Sequence, residues 1–214
     1  MRLRAEDLAA RRGEDLIFTN VFFDLTGGGA LVLTGRNGTG KSTLLRVLAG
    51  LLEPAAGRVT IAGEGIAADG RPGEFSHYLG HRNAMKGELT VAENLGFWKA
   101  FFGERGNGGL SVPEAAEAVG LPDILHLPFA YLSAGQQRRF AFAKLLLSHR
   151  PIWLLDEPTA ALDADADRLF ADLIDGHRRA GGIVVAATHQ PLGIGDAHEL
   201  VMTGFAGSAS GLWG

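Results

Sequence analysis

One glycine-rich segment constrains this chain more than any other feature of its sequence. Residues Gly35–Ser42 fit the phosphate-binding pattern G-x-x-x-x-G-K-[ST], and the apolar segment Leu31–Thr34 directly precedes them. Glycines let backbone N–H groups converge on phosphate oxygens, and a following helix adds the positive end of its dipole. Lys41 is expected to reach the β- and γ-phosphates, and the Ser42 hydroxyl to reach Mg²⁺. A chance glycine turn is the alternative, which the flanking strand and helix patterns disfavour.

The predicted nucleotide contacts are the loop residues and the residue that follows them: Gly35, Arg36, Asn37, Gly38, Thr39, Gly40, Lys41, Ser42 and Thr43.

Apolar segments of strand length alternate with segments of helical periodicity. The predicted strands are Leu31–Thr34, Gly57–Ile61, Ile152–Leu155 and Ile183–Ala187, and the predicted helices are Ser42–Leu52, Thr90–Phe102, Val112–Val119, Gln136–Leu147 and Asp165–Arg179. This order predicts an α/β fold with a largely parallel sheet. Only helices are predicted between Phe97 and Leu132, so we expect a helical subdomain at about residues 90–135 within one domain, 1–214.

The bulk composition narrows the function classes. The net charge of −4 provides no basic field for nucleic acid, and the absence of cysteine excludes disulfides and thiolate metal sites. The N-terminal Met1–Asp7 is too charged for a secretory signal. No apolar run approaches the roughly 20 residues that a membrane span needs. Any membrane role is therefore expected to act through a partner chain.

Two carboxylates at the end of an apolar segment form the second half of the expected site. Pro151–Leu155 is followed by Asp156 and Glu157. Asp156 is placed to hold the Mg²⁺ shell. Glu157 is the natural general base for a hydrolytic water, because a carboxylate at a strand end faces the γ-phosphate. A plain acidic turn is the alternative, and the phosphate loop weakens it.

A serine and a glycine at the start of a predicted helix form a second candidate anion site. The segment is Leu132-Ser133-Ala134-Gly135-Gln136. It offers a hydroxyl, free backbone N–H groups and a helix dipole end. Because the chain already has a phosphate loop, a second phosphate site implies a partner subunit. An N-capped helix without a ligand remains the alternative.

Two further motifs complete a recognisable series. Thr159–Asp163 directly follows the carboxylates, and Ala187-Thr188-His189 ends the last apolar strand. His189 could hydrogen-bond the γ-phosphate and orient Glu157 or the water. With the phosphate loop, the signature at Leu132–Gln136 and the Walker B carboxylates, these motifs resemble the ABC ATPases in identity and order, with Ala134 replacing the first signature glycine.

This resemblance implies the expected architecture, cofactors and partner. The fold is a P-loop NTPase of the ABC ATPase type, with a mostly parallel core, a small antiparallel β region and a helical subdomain. ATP and Mg²⁺ are the cofactors, with Ser42 and Asp156 as metal ligands and Glu157 and His189 as catalytic residues. Two copies are expected to pack head to tail, each ATP lying between the phosphate loop of one and Ser133–Gln136 of the other.

Two positions depart from the family pattern. Arg82 takes the place of the Q-loop glutamine, and a guanidinium cannot accept a hydrogen bond or bind a metal; Asn83 is a weak substitute. The aromatic residue that stacks on adenine is also missing. Arg11 or Arg12 could stack on the base instead, or both are merely solvated, while Phe18 is expected in the core.

The segment Tyr78–Lys86, followed by Leu89–Leu95, resembles the ATP-binding subunit of bacterial cytochrome c maturation, the haem-exporter type. That resemblance implies integral membrane partners and a peripheral location on the cytoplasmic face of the inner membrane. A soluble assembly factor, as in iron–sulphur biogenesis, is the alternative function. A degenerate, binding-only domain is a third, against which Glu157 and His189 argue. The apolar helix at Leu95–Phe102 is a candidate docking surface, although most of it is expected to be core.

Overall fold

Five parallel strands form the central sheet of the computed structural model, which describes residues 1–66, 71–103, 108–159, 162–190 and 192–204. The strands are β1 Arg2–Arg12, β2 Asp15–Thr26, β3 Ala30–Thr34, β4 Ala56–Ala62, β5 Ser76–Leu79, β6 Ile152–Asp156, β7 Ile183–Ala187 and β8 His198–Val201. The central sheet has the order β5-β6-β7-β3-β8, and each pair within it is parallel. The predicted α/β class with a mostly parallel sheet is confirmed.

The helices are α1 Lys41–Leu48, α2 Pro72–Phe75, α3 Val91–Phe102, α4 Val112–Ala118, α5 Ala134–Leu146 and α6 Ala164–Arg179. Single 3₁₀ turns occur at Pro122–Ile124 and Phe129–Tyr131. None of the helices in the described part of the chain is long and apolar enough to cross a membrane.

A smaller antiparallel sheet, in the order β2-β1-β4, lies at the N-terminal end of the chain. The sequence patterns gave no bounds for β1 or β2. The β1 sequence, RLRAEDLAARR, is rich in helix-forming residues, and its pairing shifts register between Ala5 and Leu8 and again between Leu8 and Ala10. Burial against the core stabilises these residues as a strand, since Leu3, Ala5, Leu8 and Ala10 are fully buried.

Local signals account for most of the helix boundaries. The predicted capping box of α3 is present, because Thr90 Oγ1 accepts from the Glu93 N–H and Glu93 Oε2 accepts from the Thr90 N–H. Helix α1 ends four residues before the predicted Leu52, because Gly50 follows with a positive φ of 68°. Helix α5 starts two residues before the predicted Gln136, since Ser133 caps it.

Three apolar clusters hold the layers together. The first packs the antiparallel sheet and α1 against one face of the parallel sheet. The second packs α5 and α6 against the opposite face, where the rings of Phe142 and Phe170 stack with centroids 4.0 Å apart. The third joins α3 and α4 to the outer side of α5 around the fully buried Phe140. Helix α5 therefore contributes to both the second and the third cluster.

One buried and one half-buried histidine, His77 and His177, lie on the side of this packing away from the phosphate loop. His77 Nε2 lies 2.9 Å from the Ser148 carbonyl oxygen, and burial lowers the pKa of His77 to about 3. The ring of His177 stacks on Trp153 with centroids 4.1 Å apart, and burial lowers the pKa of His177 to about 4. Both side chains are neutral at pH 7, which suits an apolar environment.

Acid should therefore destabilise the fold through His77. The unfolded state binds a proton below a pKa of about 6.5, but the folded state resists protonation until about 3, so stability present at pH 7 is lost as the pH falls. Between pH 7 and pH 5 this one group should lower the free energy of unfolding by about 2 kcal/mol. The free energy of unfolding, measured with urea at pH 7 and at pH 5, should fall by about 2 kcal/mol less in His77→Gln than in wild type.

The exposed His126 supplies the control for this measurement. His126→Gln should leave the pH 7 to pH 5 difference as it is in wild type. An unaltered difference in His77→Gln would contradict the proposed origin of the acid sensitivity, whatever the absolute stability of that variant.

Candidate nucleotide-binding and hydrolytic site

The phosphate loop connects the carboxyl end of β3 to the N-terminus of α1, and two glycines are required for its path. Gly35 has φ 124°, and a Cβ there would lie 2.2 Å from the Met202 carbonyl oxygen. Gly40 has φ 100°, and a Cβ there would lie 2.6 Å from Ile17 Cγ2. Any side chain would therefore clash with the strands on either side of the loop. The loop can enter α1 with its backbone N–H groups facing outward only because both residues are glycine.

Lys41 is 93% buried and its ammonium group bends back over the loop. Its Nζ donates to the carbonyl oxygens of Gly35 at 2.6 Å and Arg36 at 3.1 Å. It also lies 3.3 Å from His189 Nε2. The ammonium is thus held at the centre of the loop, where the phosphates of a nucleotide are expected to lie.

The side chains of Ser42 and Asp156 form a hydrogen bond beside the N-terminus of α1. The Ser42 hydroxyl donates to Asp156 Oδ1 at 3.0 Å, and the Tyr78 hydroxyl lies 3.5 Å from Asp156 Oδ2. Burial raises the pKa of the Tyr78 hydroxyl, so it stays protonated and can donate. A hydroxyl and a carboxylate are hard oxygen donors of the kind Mg²⁺ prefers, and Mg²⁺ commonly takes only one or two protein oxygens beside phosphate. The two residues therefore fit a magnesium site.

Glu157 has an unusual backbone. Its φ is +46°, the left-handed region that non-glycine residues rarely adopt. Its N–H donates to the Ala187 carbonyl at 2.8 Å, which links the end of β6 to the end of β7. Its side chain is 28% exposed, so the carboxylate opens to the cavity above the loop.

His189 joins the loop to the catalytic carboxylate. Its Nε2 lies 2.8 Å from Asn37 Oδ1 and 3.6 Å from Glu157 Oε1, while its backbone N–H donates to Glu157 Oε2 at 3.4 Å. The predicted association of His189 with Glu157 is present in the structure. Contact with Asn37 and with Lys41 Nζ was not predicted, and these contacts place the ring directly over the phosphate loop.

These groups share one open cavity of about 680 Å³. Its lining comprises the loop residues Arg36–Thr43 together with Arg12, Asp15, Leu16, Ile17, His81, Asp156, Glu157, His189, Thr203 and Gly204. Of the nine predicted loop contacts, only Gly35 is absent from the lining, and its carbonyl oxygen instead accepts from Lys41. A cavity of this volume is of the size that binds a small-molecule cofactor.

The residues expected to contact the nucleotide base lie at the end of the cavity next to the β1–β2 hairpin. Arg12 lines the cavity and Arg11 does not. The structure therefore distinguishes the two arginines that the sequence left as equal candidates for stacking on the base. Phe18 is buried in the first cluster, as expected. Leu16 and Ile17 supply an apolar surface there that sequence reasoning missed, because neither is aromatic. Gly204, beyond the end of β8, lies against Thr39.

The turn at the predicted Q-loop position, Arg82, presents the neighbouring side chain of His81 to the cavity. His81 lines the cavity with Asp156 and Glu157, and Arg82 does not. Gly80 and Asn83, on either side, accept hydrogen bonds from Arg138 Nη1 at 2.9 and 3.2 Å. This anchoring fixes the turn that carries His81 and Arg82. The sequence did not predict His81 as a lining residue, since nothing in it reveals which side chain of the turn faces inward.

The signature segment lies apart from this cavity. Ser133 caps α5 in a complete capping box: its Oγ accepts from the Gln136 N–H at 3.2 Å and Gln136 Oε1 accepts from the Ser133 N–H at 2.9 Å. Ser133 and Ala134 are exposed, and no residue of the segment lines the cavity. The chain therefore presents two separate candidate phosphate sites, as the sequence predicted.

The segment after Glu157 is held by local bonds. The Leu162 N–H donates to the Thr159 carbonyl at 3.2 Å, and Asp163 Oδ1 accepts from the Ala166 N–H at 2.8 Å as the N-cap of α6. Thr159 is buried. The two alanines of the predicted motif Thr159–Asp163, Ala160 and Ala161, lie outside the described residues.

Similarity to known proteins agrees with this geometry. The family model described as ABC transporter matches residues 18–160. The Cytochrome c biogenesis ATP-binding export protein CcmA of Rhizobium johnstonii is 67% identical over 100% of both chains. The protein of the same name in Mesorhizobium japonicum is 56% identical over 97% of this chain and 100% of its own length.

Solved structures share the fold. An ABC transporter ATP-binding protein from Pyrococcus furiosus superposes with a TM-score of 0.78 at 21% identity, covering 94% of this chain and 98% of the other. A dimeric ATP-binding cassette in a post-hydrolysis state with ADP and Pi superposes with a TM-score of 0.71 at 25% identity, covering 88% of each chain. The chain belongs to the ABC transporter ATP-binding family and, within it, to the cytochrome c biogenesis ATP-binding export proteins, and it is an ATPase of that class.

Proposed function

We propose that this chain hydrolyses ATP with Mg²⁺ to drive a membrane export complex that serves cytochrome c maturation, of the haem-exporter type. The observation that carries the hydrolytic part is the convergence of Lys41, Ser42, Asp156, Glu157 and His189 on one cavity. The names of the relatives support the cytochrome c biogenesis role. The alternative of a soluble iron–sulphur assembly factor has no comparable support.

Within the site we assign each residue a role. The residues of Gly35–Thr43 bind the nucleotide phosphates through backbone N–H groups and Lys41. Ser42 and Asp156 hold Mg²⁺, which when bound neutralises charge on the β- and γ-phosphate oxygens. Glu157 accepts the proton of the attacking water. His189, held by Asn37 and Glu157, orients the carboxylate and contacts the γ-phosphate.

Loss of the general base should separate ATP binding from hydrolysis. Glu157→Gln should lower ATP turnover by about 100-fold or more, because general base catalysis contributes about that much. It should also trap ATP in a stable head-to-tail dimer, measurable by size-exclusion chromatography with ATP present. Lys41→Ala should abolish phosphate binding and form no such dimer.

The exposed Glu53→Gln supplies the matched control and should leave turnover and oligomeric state unchanged. Turnover at the wild-type rate in Glu157→Gln would refute the assigned base.

We further propose that His81 takes the Q-loop role first assigned to Arg82. A neutral imidazole can accept a hydrogen bond from water or bind a metal, whereas a guanidinium can only donate. His81 faces the cavity beside Asp156 and Glu157. Asn83, the other candidate from the sequence, accepts from Arg138 instead.

His81→Ala should therefore lower ATP turnover by about tenfold, because a misplaced water or phosphate reduces the rate steeply. Arg82→Ala, the adjacent substitution in the same turn, should lower turnover less. The two variants are compared by steady-state phosphate release at equal protein concentration. A larger loss in Arg82→Ala than in His81→Ala would restore the original assignment.

We propose that the chain is a peripheral subunit on the cytoplasmic face of the bacterial inner membrane, forms a head-to-tail homodimer and docks on integral membrane subunits. Residues 90–135 act as the helical subdomain that carries the docking surface. On α3 the rings of Phe97 and Phe101 are 60% and 66% exposed and stack 6.1 Å apart. Leu95 and Phe102 are core residues. Nucleic acid is not among the proposed partners, given the net charge of −4.

A tagged chain recovered from detergent-solubilised membranes should bring integral membrane subunits with it, detected by mass spectrometry. The double variant Phe97→Ser/Phe101→Ser should lower that recovery several-fold, because exposed aromatic pairs commonly anchor interfaces. Phe22→Ser is the control, since Phe22 is also exposed but lies on β2. Recovery of the wild-type chain only in soluble complexes would favour the assembly-factor function.

A further inference from the structure

One buried arginine bonds to two separate segments of the ATPase, Asp156–Pro158 and the turn Gly80–Asn83. Arg138 lies on α5, five residues after the cap Ser133, and is 95% buried. Its Nε donates to the Pro158 carbonyl at 3.0 Å, and its Nη2 donates to the carbonyls of Asp156 at 2.8 Å and Glu157 at 2.7 Å. Its Nη1 donates to the Gly80 carbonyl and to Asn83 Oδ1. All five acceptors are uncharged, and four of them are backbone carbonyls.

A guanidinium has five N–H donors in a rigid plane, and here it meets five acceptors. A buried cation without a hydrogen-bonded carboxylate is expensive, and here the neutral dipoles of the five acceptors and the nearby charges of Asp156 and Glu157 compensate it. Burial accordingly lowers the pKa of Arg138 to about 10, so it remains charged at pH 7. A packing role alone would be served by an apolar side chain at lower cost.

The positions of the hydrogen-bond acceptors indicate the role of Arg138. Glu157 is in a left-handed backbone conformation, which is strained for a non-glycine residue and persists only where its surroundings enforce it. On one side of Glu157 its N–H is bonded to Ala187, and on the other side its C=O is bonded to Arg138. The carbonyls before and after it, on Asp156 and Pro158, are bonded to the same guanidinium. The conformation that aims the Glu157 carboxylate is thus clamped from α5.

The position of Arg138 on α5 couples this clamp to the signature. Five residues separate it from Ser133, about 7.5 Å along the helix axis. A helix moves as a rigid unit over that length, so a displacement of its capped end also displaces the guanidinium. The same guanidinium holds Gly80 and Asn83, which flank the turn bearing His81.

We propose that Arg138 is a positioning residue that holds Glu157 in its left-handed backbone conformation and makes the aim of its carboxylate depend on the position of the signature helix α5. The proposal rests on the role assigned to Glu157 under the proposed function. Arg138 does not line the cavity, so it acts through the backbone of Asp156–Pro158.

The test compares full-length Arg138→Gln and Arg138→Lys with wild type, using the exposed Arg168→Gln on α6 as the matched control. Arg138→Gln should lower kcat about 10- to 100-fold per folded protein, because misaiming a catalytic group by about 1 Å costs that much. The Kd for ATP should change less than about threefold. Backbone hydrogen exchange at Glu157 should accelerate. Arg168→Gln should change none of these quantities.

Arg138→Lys keeps the charge but has three donors on one atom, so it cannot reach carbonyls on both sides of the clamp. It should fold and still show at least about a fivefold loss of kcat. If Arg138→Gln fails to fold, the kcat of Arg138→Lys alone tests the proposal. Wild-type kcat in Arg138→Lys, or wild-type kcat with unchanged exchange at Glu157 in Arg138→Gln, would overturn the proposal. So would a loss of kcat accompanied by an equal loss of ATP binding.

Glu157→Gln measured alongside separates the two hypotheses. If Glu157→Gln is inactive while Arg138→Gln turns over normally, the positioning role fails and the assigned base stands. If Glu157→Gln itself turns over normally, the assigned base is wrong, and the positioning proposal falls with it.

Discussion

The parallel pairing of β3, β7 and β6 is the constraint on which the site depends. Ala187 on β7 pairs with Leu33 on β3 and with Asp156 on β6, so three distant parts of the chain end at one edge of the sheet. Neighbouring strands in a sheet lie about 4.8 Å apart, so the residues that follow these three strands lie close together. All five residues of β6 and of β7 are buried, so their register cannot slip without exposing apolar side chains.

Several residues of the site at this edge adopt conformations that the surrounding structure must enforce. The loop requires glycine at Gly35 and Gly40, because neighbouring atoms occupy the space of a Cβ. Glu157 is kept in a left-handed conformation, and Lys41 is drawn over carbonyl oxygens of its own loop. Such strain persists only where the surrounding bonds enforce it, and it concentrates at functional sites. Here those bonds come from β7 and from the buried guanidinium of α5.

The proposed need for a second subunit follows from the same geometry. The signature end of α5 is capped and exposed, but it contributes nothing to the cavity of its own chain. Its hydroxyl and helix dipole are suited to an anion brought by another copy. Helix α5 also packs on α3 and α4 at its outer side and on the sheet at its inner side. It is therefore the element through which nucleotide, partner and helical region are proposed to communicate.

Local sequence patterns are enough to predict the phosphate loop, the carboxylates Asp156 and Glu157, the capped signature and His189. Each is a short local pattern whose chemistry depends on residue type and spacing, and a strand end or a helix cap can be read from a few residues. The strands β6 and β7 were also predicted, because a continuous apolar run is typical of a buried parallel strand.

The tertiary structure places Arg12 and not Arg11, and His81 and not Arg82, in the lining of the cavity. It anchors the turn that carries His81 and Arg82 through Arg138. It formed β1 from residues that locally favour helix, since long-range pairing and burial outweigh propensity. It also brought Asn37 to His189 and Arg138 to Glu157, contacts between residues too distant in sequence for any local pattern to record.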